Sequence, residues 1–172
     1  MEKAMKKNVI TAAALMTTIA ASSSAIAQDR SPIETQNVET VLRLFDEGWG
    51  AQDGWRDVWR ETMTPGFRSI FHSNQAVEGI EQAIAFNAVL FEGFPRLEVV
   101  VENVTVEGDN VVVQARLTGA QDGPFLGVPP SGQMVDVPDV TLFTLADGQV
   151  IEMRYFTDLL AVMTAISAPP EN

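Results

Sequence analysis

The chain has 172 residues, with 11 Lys and Arg against 23 Asp and Glu, a formal net charge of −12, and no cysteine. Such an excess of negative charge repels phosphate backbones and anionic lipid surfaces, which excludes nucleic acid and the membrane surface as partners. With a single histidine, no thiol and no carboxylate cluster at ligand spacing, the sequence offers neither a disulfide framework nor a metal site.

The first residues carry Lys3, Lys6 and Lys7, then an apolar run from Val9 to Ala21, then Ala25-Ile26-Ala27. A basic start, a short apolar stretch and an A-x-A site make a secretory signal peptide, with cleavage expected after Ala27 and a periplasmic or secreted product. The apolar run is too short and too rich in threonine to span a bilayer, which needs about 20 apolar residues. The leader holds three lysines and one glutamate, so residues 28–172 stand at −14. That length suits one domain with a real core.

Ser31-Pro32-Ile33-Glu34 has the form of a capping box with proline in the first helical position, so a helix begins there. Val38, Val41, Leu42, Phe45 and Trp49 follow its buried face until Gly48 and Gly50 end it. A second helix is expected from about Asp53 to Met63, stopped by Pro65-Gly66, and a short strand from Phe67 to His72. A third helix is expected from about Glu78 to Phe94. From Pro95 the apolar period changes to two. Two strands are joined by a turn at Gly108-Asp109-Asn110, and two more by a turn at Asp147-Gly148, because these residues tolerate positive φ. Pro138 marks an edge or a bulge. A last helix, Leu159 to Ile166, starts from Thr157 or Asp158. Helices, then antiparallel strands, then one helix make an α+β domain whose curved sheet is covered on one face.

Between the two predicted hairpins lies "GPFLGVPPSGQ", residues Gly123 to Gln133, a loop that carries Phe125, Leu126 and Val128. Loops normally run over the surface and are polar, so these side chains close a core, rim a cavity or meet a partner subunit. With the strands that follow, this stretch resembles the SnoaL-like polyketide cyclase, or ester cyclase, family of the nuclear-transport-factor-two-like cone fold. The matching residues are Gly123, Phe125, Gly127, Pro129, Pro130, Ser131 for threonine, Gly132, Asp147, Gly148, Val150 for isoleucine, and Asp158. The upstream hairpin from Phe94 to Gly123 looks like the family's own. The resemblance implies a cone-shaped antiparallel sheet under N-terminal helices with a short C-terminal helix.

It also implies an acid/base pair at positions held here by Tyr155 and Thr141. A tyrosine, with an ordinary pKa near 10, is a poor base but can donate a hydrogen bond to an enolate. The family's usual histidine before the glycine-rich loop is missing too, since Gly119 to Gly123 reads GAQDG. His72 is a candidate pocket residue. Asp158 is either a general base or the cap of the last helix. Tyr155, Thr141, Phe143, Met153, Ile151 and Leu145 share one parity, which places two hydroxyls among apolar neighbours. Trp55, Trp59, Phe86 and Phe91 either wall a ligand site with Met153 or pack the core.

Two readings follow. In one, the protein binds a small hydrophobic, carbonyl-bearing ligand. In the other, it is an acid/base cyclase, isomerase or hydrolase acting through Asp158, His72 and Tyr155. Neither requires a cofactor. Apolar residues of both parities around Val99 to Val101 and Val111 to Val113 predict a homodimer through the open sheet face.

Overall fold

A computed structural model describes residues 30–71 and 75–168. The expected leader and His72 lie outside the described residues. In chain order the elements are α1 (Pro32–Glu47), α2 (Trp55–Thr62), β1 (Met63–Phe71), β2 (Ala76–Glu78), α3 (Ile80–Gly93), β3 (Glu98–Glu107), β4 (Asn110–Ala120), β5 (Met134–Ala146), β6 (Gln149–Thr157) and α4 (Leu159–Ile166). The strands form one curved, unclosed sheet in the order β2-β1-β6-β5-β4-β3. This is the expected α+β cone, with one refinement. β1 runs parallel to β6 while all other neighbours are antiparallel, so the sheet is mixed.

The capping box at α1 is present: the Glu34 amide donates to Ser31 Oγ at 3.3 Å and the Ser31 amide donates to Glu34 Oε2 at 2.8 Å. The other Glu34 oxygen accepts the Gly108 amide at 3.0 Å, which ties the helix start to the β3–β4 turn. Those two backbone amides, Gly108 first, hold the Glu34 carboxyl below its ordinary pKa. Val38, Val41, Leu44 and Phe45 are buried in the main core, where α1 lies against α2, β3, β4 and β6.

The boundary between α2 and β1 differs from expectation. The helix ends at Thr62 and the chain is already extended at Met63, so Pro65 and Gly66 lie inside β1. Pairing with β6 is interrupted between Met63 and Arg68, and pairing with β2 begins only at Arg68. Pro65 therefore withholds its missing N–H where no ladder asks for one. Pro138 fits the edge reading: β6 pairs with β5 only from Asp139 onward, so β5 projects past β6 at Pro138. The β5–β6 hairpin turns at Asp147 (φ 51°) and Gly148 (φ 76°), both at positive φ as expected. Near that turn β6 bulges. Leu145 pairs with Val150 and Thr144 with Glu152, so Ile151 is the extra residue. The bulge passes the inward role from Val150 to Met153 and removes Ile151 from the parity expected for it.

Two apolar clusters result. The main core lies under α1, α2 and one face of α3, and includes Trp55, Trp59, Phe67, Phe91, Phe143 and Met153. A smaller one under α4 and the Gly123–Gln133 loop contains Phe94, Leu117, Phe125, Val137 and Ile166. Leu90, Leu97 and Val99 touch both.

Candidate ligand-binding site

Between the clusters lies a cavity of about 340 Å³, a volume typical of small-molecule sites. Helix α3 builds one wall because its sequence is apolar around most of its circumference. Ala83, Ile84 and Phe91 face the main core, while Phe86, Val89 and Leu90 face the cavity. Opposite stand Leu117 of β4, Val135 and Val137 of β5, and Leu159 and Val162 of α4. Phe86 and Val89 are each 46% exposed and Leu126 is 56% exposed, so these three form the rim.

The loop singled out in the sequence makes the other lip. Phe125 and Val128 exchange backbone hydrogen bonds across Leu126 (φ 45°) and Gly127 (φ 85°), a two-residue turn with both central residues at positive φ. For a leucine that conformation costs on the order of 1 kcal/mol. It leaves Leu126 at the rim and Phe125 buried against Phe94, with ring centroids 5.2 Å apart. Val128 packs on the same cluster. The loop is clamped to the end of α3, where the Gly123 amide donates to the Gly93 carbonyl at 3.0 Å. A Cβ on Gly123 would sit 2.0 Å from the Glu92 carbonyl oxygen, so only glycine allows this approach.

The loop is held from beneath by Gln121, which is fully buried. Its Nε2 donates to the carbonyls of Gly123, Val128 and Pro129 at 3.0, 3.2 and 3.1 Å. Its Oε1 accepts from the Ser131 amide at 3.2 Å and the Ser131 hydroxyl at 2.6 Å.

The cavity's polar lining residues are Asn87, Tyr155 and Thr157. Asn87 spends its Nδ2 on the Ala83 carbonyl at 3.0 Å. Thr157 donates its hydroxyl to Asp139, whose other carboxylate oxygen accepts the Thr141 hydroxyl at 2.8 Å. Asp139 is 2% exposed, and no Lys, Arg or His among the described residues pairs with it. The sheet register makes this cluster, pairing Asp139 with Thr157, Thr141 with Tyr155, and Phe71 with Tyr155. Burial pushes the Tyr155 phenol above its ordinary pKa, the Asp139 charge adds to the rise, and the nearby Ser69 hydroxyl tempers it. The phenol therefore stays protonated at neutral pH. Neither the Tyr155 nor the Ser69 hydroxyl makes a hydrogen bond of good geometry, and the buried Trp49 indole N–H is likewise unpartnered.

The family model of the SnoaL-like polyketide cyclases matches residues 39–166, most of the chain. The chain belongs to this family. Its fold is similar to a candidate polyketide cyclase of Xanthomonas campestris, with a TM-score of 0.70 and 15% identity over 78% of this chain and 98% of that one. It is also similar to IdmH, a candidate polyketide cyclase of Streptomyces antibioticus, with a TM-score of 0.67 and 18% identity over 77% and 99%. A third neighbour is AclR of Streptomyces galilaeus, a candidate hydroxylase, with a TM-score of 0.66 and 18% identity over 80% and 99%. A comparison with curated proteins gives no significant match.

In this SnoaL-like chain the residues singled out in the sequence divide between core and cavity. Tyr155 lines the cavity. Trp55, Trp59, Phe91, Phe143 and Met153 belong to the main core, and Trp59 donates its indole N–H to the Gly48 carbonyl at 2.7 Å. Trp55 and Phe91 also border a second, more open depression that carries Asp53, Arg56 and Glu92. Phe86 lies on the rim. Thr141 is wholly buried behind the lining and reaches it only through Asp139. Asp158 caps α4, accepting the Ala161 amide at 2.9 Å from an exposed position outside the cavity lining.

Sequence reasoning passed over Asp139, Thr157, Asn87 and Gln121. A usable signal existed for Asp139, which shares the inward parity of Thr141 and Phe143. Asn87 is marked only by its place in the cavity lining, and Gln121 only by its hydrogen bonds to the loop.

Proposed function

We propose that this SnoaL-like protein binds a small hydrophobic, carbonyl-bearing molecule in the cavity between its two apolar clusters. The observation that carries the reading is the cavity itself, walled by carbon and floored by a tyrosine that stays protonated at neutral pH. An apolar body gains by leaving water for such a space, and Tyr155 in the lining holds a buried, protonated hydroxyl that makes no hydrogen bond of good geometry and is free to turn toward a ligand carbonyl. Binding is favoured over acid/base turnover because Tyr155 is no base while protonated and Asp158 is engaged at the helix cap.

Two further features complete the proposal. The leader implies export, and the mature protein recovered from a periplasmic fraction should begin at Gln28. The outer sheet face carries exposed Val100, Leu142 and Phe156, more apolar surface than a strand face toward water requires, which supports a homodimer through that face.

The test of binding is titration with the environment-sensitive dye N-phenylnaphthylamine, followed through dye emission and through quenching of Trp49 at the cavity wall. Saturable binding is expected for the wild type, and its loss in Val137→Trp, which fills the cavity, with an unchanged far-ultraviolet spectrum. A wild type that shows no saturable binding would sink the reading.

A further inference from the structure

Asp139 accepts two threonine hydroxyls, an arrangement that stability alone does not require. A buried carboxylate is costly where no cation pairs with it; Asp139 has none among the described residues and lies among Val135, Val137, Phe143 and Leu145 on the inward face of β5. Its protein partners are the Thr141 and Thr157 hydroxyls, and of these only Thr157 lines the cavity. A hydroxyl has one proton and two lone pairs. The Thr157 proton is directed at Asp139, so what Thr157 can offer a ligand is an acceptor. The carboxylate behind it strengthens that acceptor by polarising the O–H bond, and it adds negative potential to a site of low dielectric.

We propose that Asp139, acting through Thr157, is the specificity-determining residue of the cavity, selecting neutral ligands that present a hydroxyl donor and rejecting anions. Tyr155 holds the opposite polarity, a buried donor without a well-placed acceptor that can turn toward a ligand beside the same floor. The two together match a molecule with a carbonyl acceptor and a hydroxyl donor on one apolar frame. The inference rests on the proposed ligand-binding reading. Asp139 is a positioning residue: it fixes the direction of the Thr157 proton and need not touch the ligand.

The test uses the same dye displaced by four probes: naphthyl methyl ketone, its hydroxylated and methoxylated derivatives, and the corresponding naphthoate. At neutral pH the hydroxylated ketone should bind roughly three- to tenfold tighter than the parent ketone, the gain of one hydrogen bond. The methoxylated ketone has the oxygen but no proton and should show no such gain. Naphthoate should be weaker than the hydroxylated ketone by more than about tenfold. In Asp139→Asn the amide can donate to Thr157 and turn its proton toward the cavity, so the hydroxyl preference should vanish and the penalty on naphthoate should shrink. Thr157→Ser should keep the wild-type order and Thr157→Val should lose it. Dye affinity and the far-ultraviolet spectrum report whether each variant is folded.

If the wild type binds no dye, the ligand-binding reading has failed. If it binds dye but ranks the hydroxylated and methoxylated ketones alike, the role of Asp139 is refuted while the cavity reading stands. An unchanged ranking in folded Asp139→Asn refutes it equally.

Discussion

Gln121 offers the most direct test of how the cavity lip is built. Replacement by methionine keeps nearly the same volume and apolar reach but removes every hydrogen bond of the amide. The side chain makes five polar contacts, yet its nitrogen has two protons for three carbonyls, so one contact is shared. At about 0.5–1.5 kcal/mol net for each bond, four independent bonds set a range of roughly 2–6 kcal/mol. Only the bond to the Gly123 carbonyl is fully buried, and the part-buried groups of Val128, Pro129 and Ser131 regain water when released. The lower half applies, about 2–4 kcal/mol. Urea unfolding of both proteins, compared at equal slope, gives this value. Hydrogen exchange should show the Ser131 amide losing protection, and dye affinity should fall as Phe125 and Leu126 lose their fixed place. A loss under about 0.5 kcal/mol with unchanged dye affinity would mean that the Gly123–Gly93 bond and Phe125 packing hold the lip without Gln121.

Asp158→Ala should cost about 1 kcal/mol in urea unfolding while Asp158→Asn costs little, since asparagine also caps; equal losses in both would contradict the cap assignment. The Glu34 pKa is lower in the folded state, so its stabilising effect is complete above the ordinary carboxylate range and is lost as pH falls through the folded value. Exchange protection at the Ser31 and Gly108 amides should therefore fall with acidification, and protection that persists once Glu34 is protonated would show that the capping box does not anchor this end. Phe156→Lys on the outer face should convert the proposed dimer to monomer in light scattering, and a wild type that is already monomeric at micromolar concentration would remove that proposal.

The legible parts of the fold were those governed by local chemistry. The Ser31–Glu34 capping box, the Asp147-Gly148 turn and the limits of α4 all depend on residues within a few positions of one another. The less legible parts depend on partners distant in sequence. Pro65 and Gly66 read as a helix stop, and they are displaced into β1 because the parallel ladder with β6 tolerates an interruption there. The strand β2 is only three residues long, and the helix period after Gly79 masks it. In the site, Tyr155 was legible by register against Thr141, whereas Trp55 and Trp59 show that a helical aromatic pair serves core packing as readily as a cavity wall. The inward set on β6 shifts at Ile151, so strict alternation assigns one residue too many to that face.

Placement of the polar residues connects sheet geometry to function. On β5 the inward side chains run Val135, Val137, Asp139, Thr141, Phe143 and Leu145, so the apolar series is broken only at its middle. There β6 contributes Tyr155 and Thr157 in register, and β1 contributes Ser69, two residues from the partner of Tyr155. Replacing a paired polar group by apolar side chains of similar shape is often neutral or stabilising, so stability alone gives no reason for three adjacent strands to be polar at one level. The same level is where β6 stops pairing with β5 and the main core gives way to the second cluster. The cavity opens at that junction, between α3 on one side and α4 on the other. A floor with fixed donors and acceptors at this point can orient what the apolar walls attract, and it can do so without moving, since Asp139, Thr141 and Thr157 are held by the sheet and by one another.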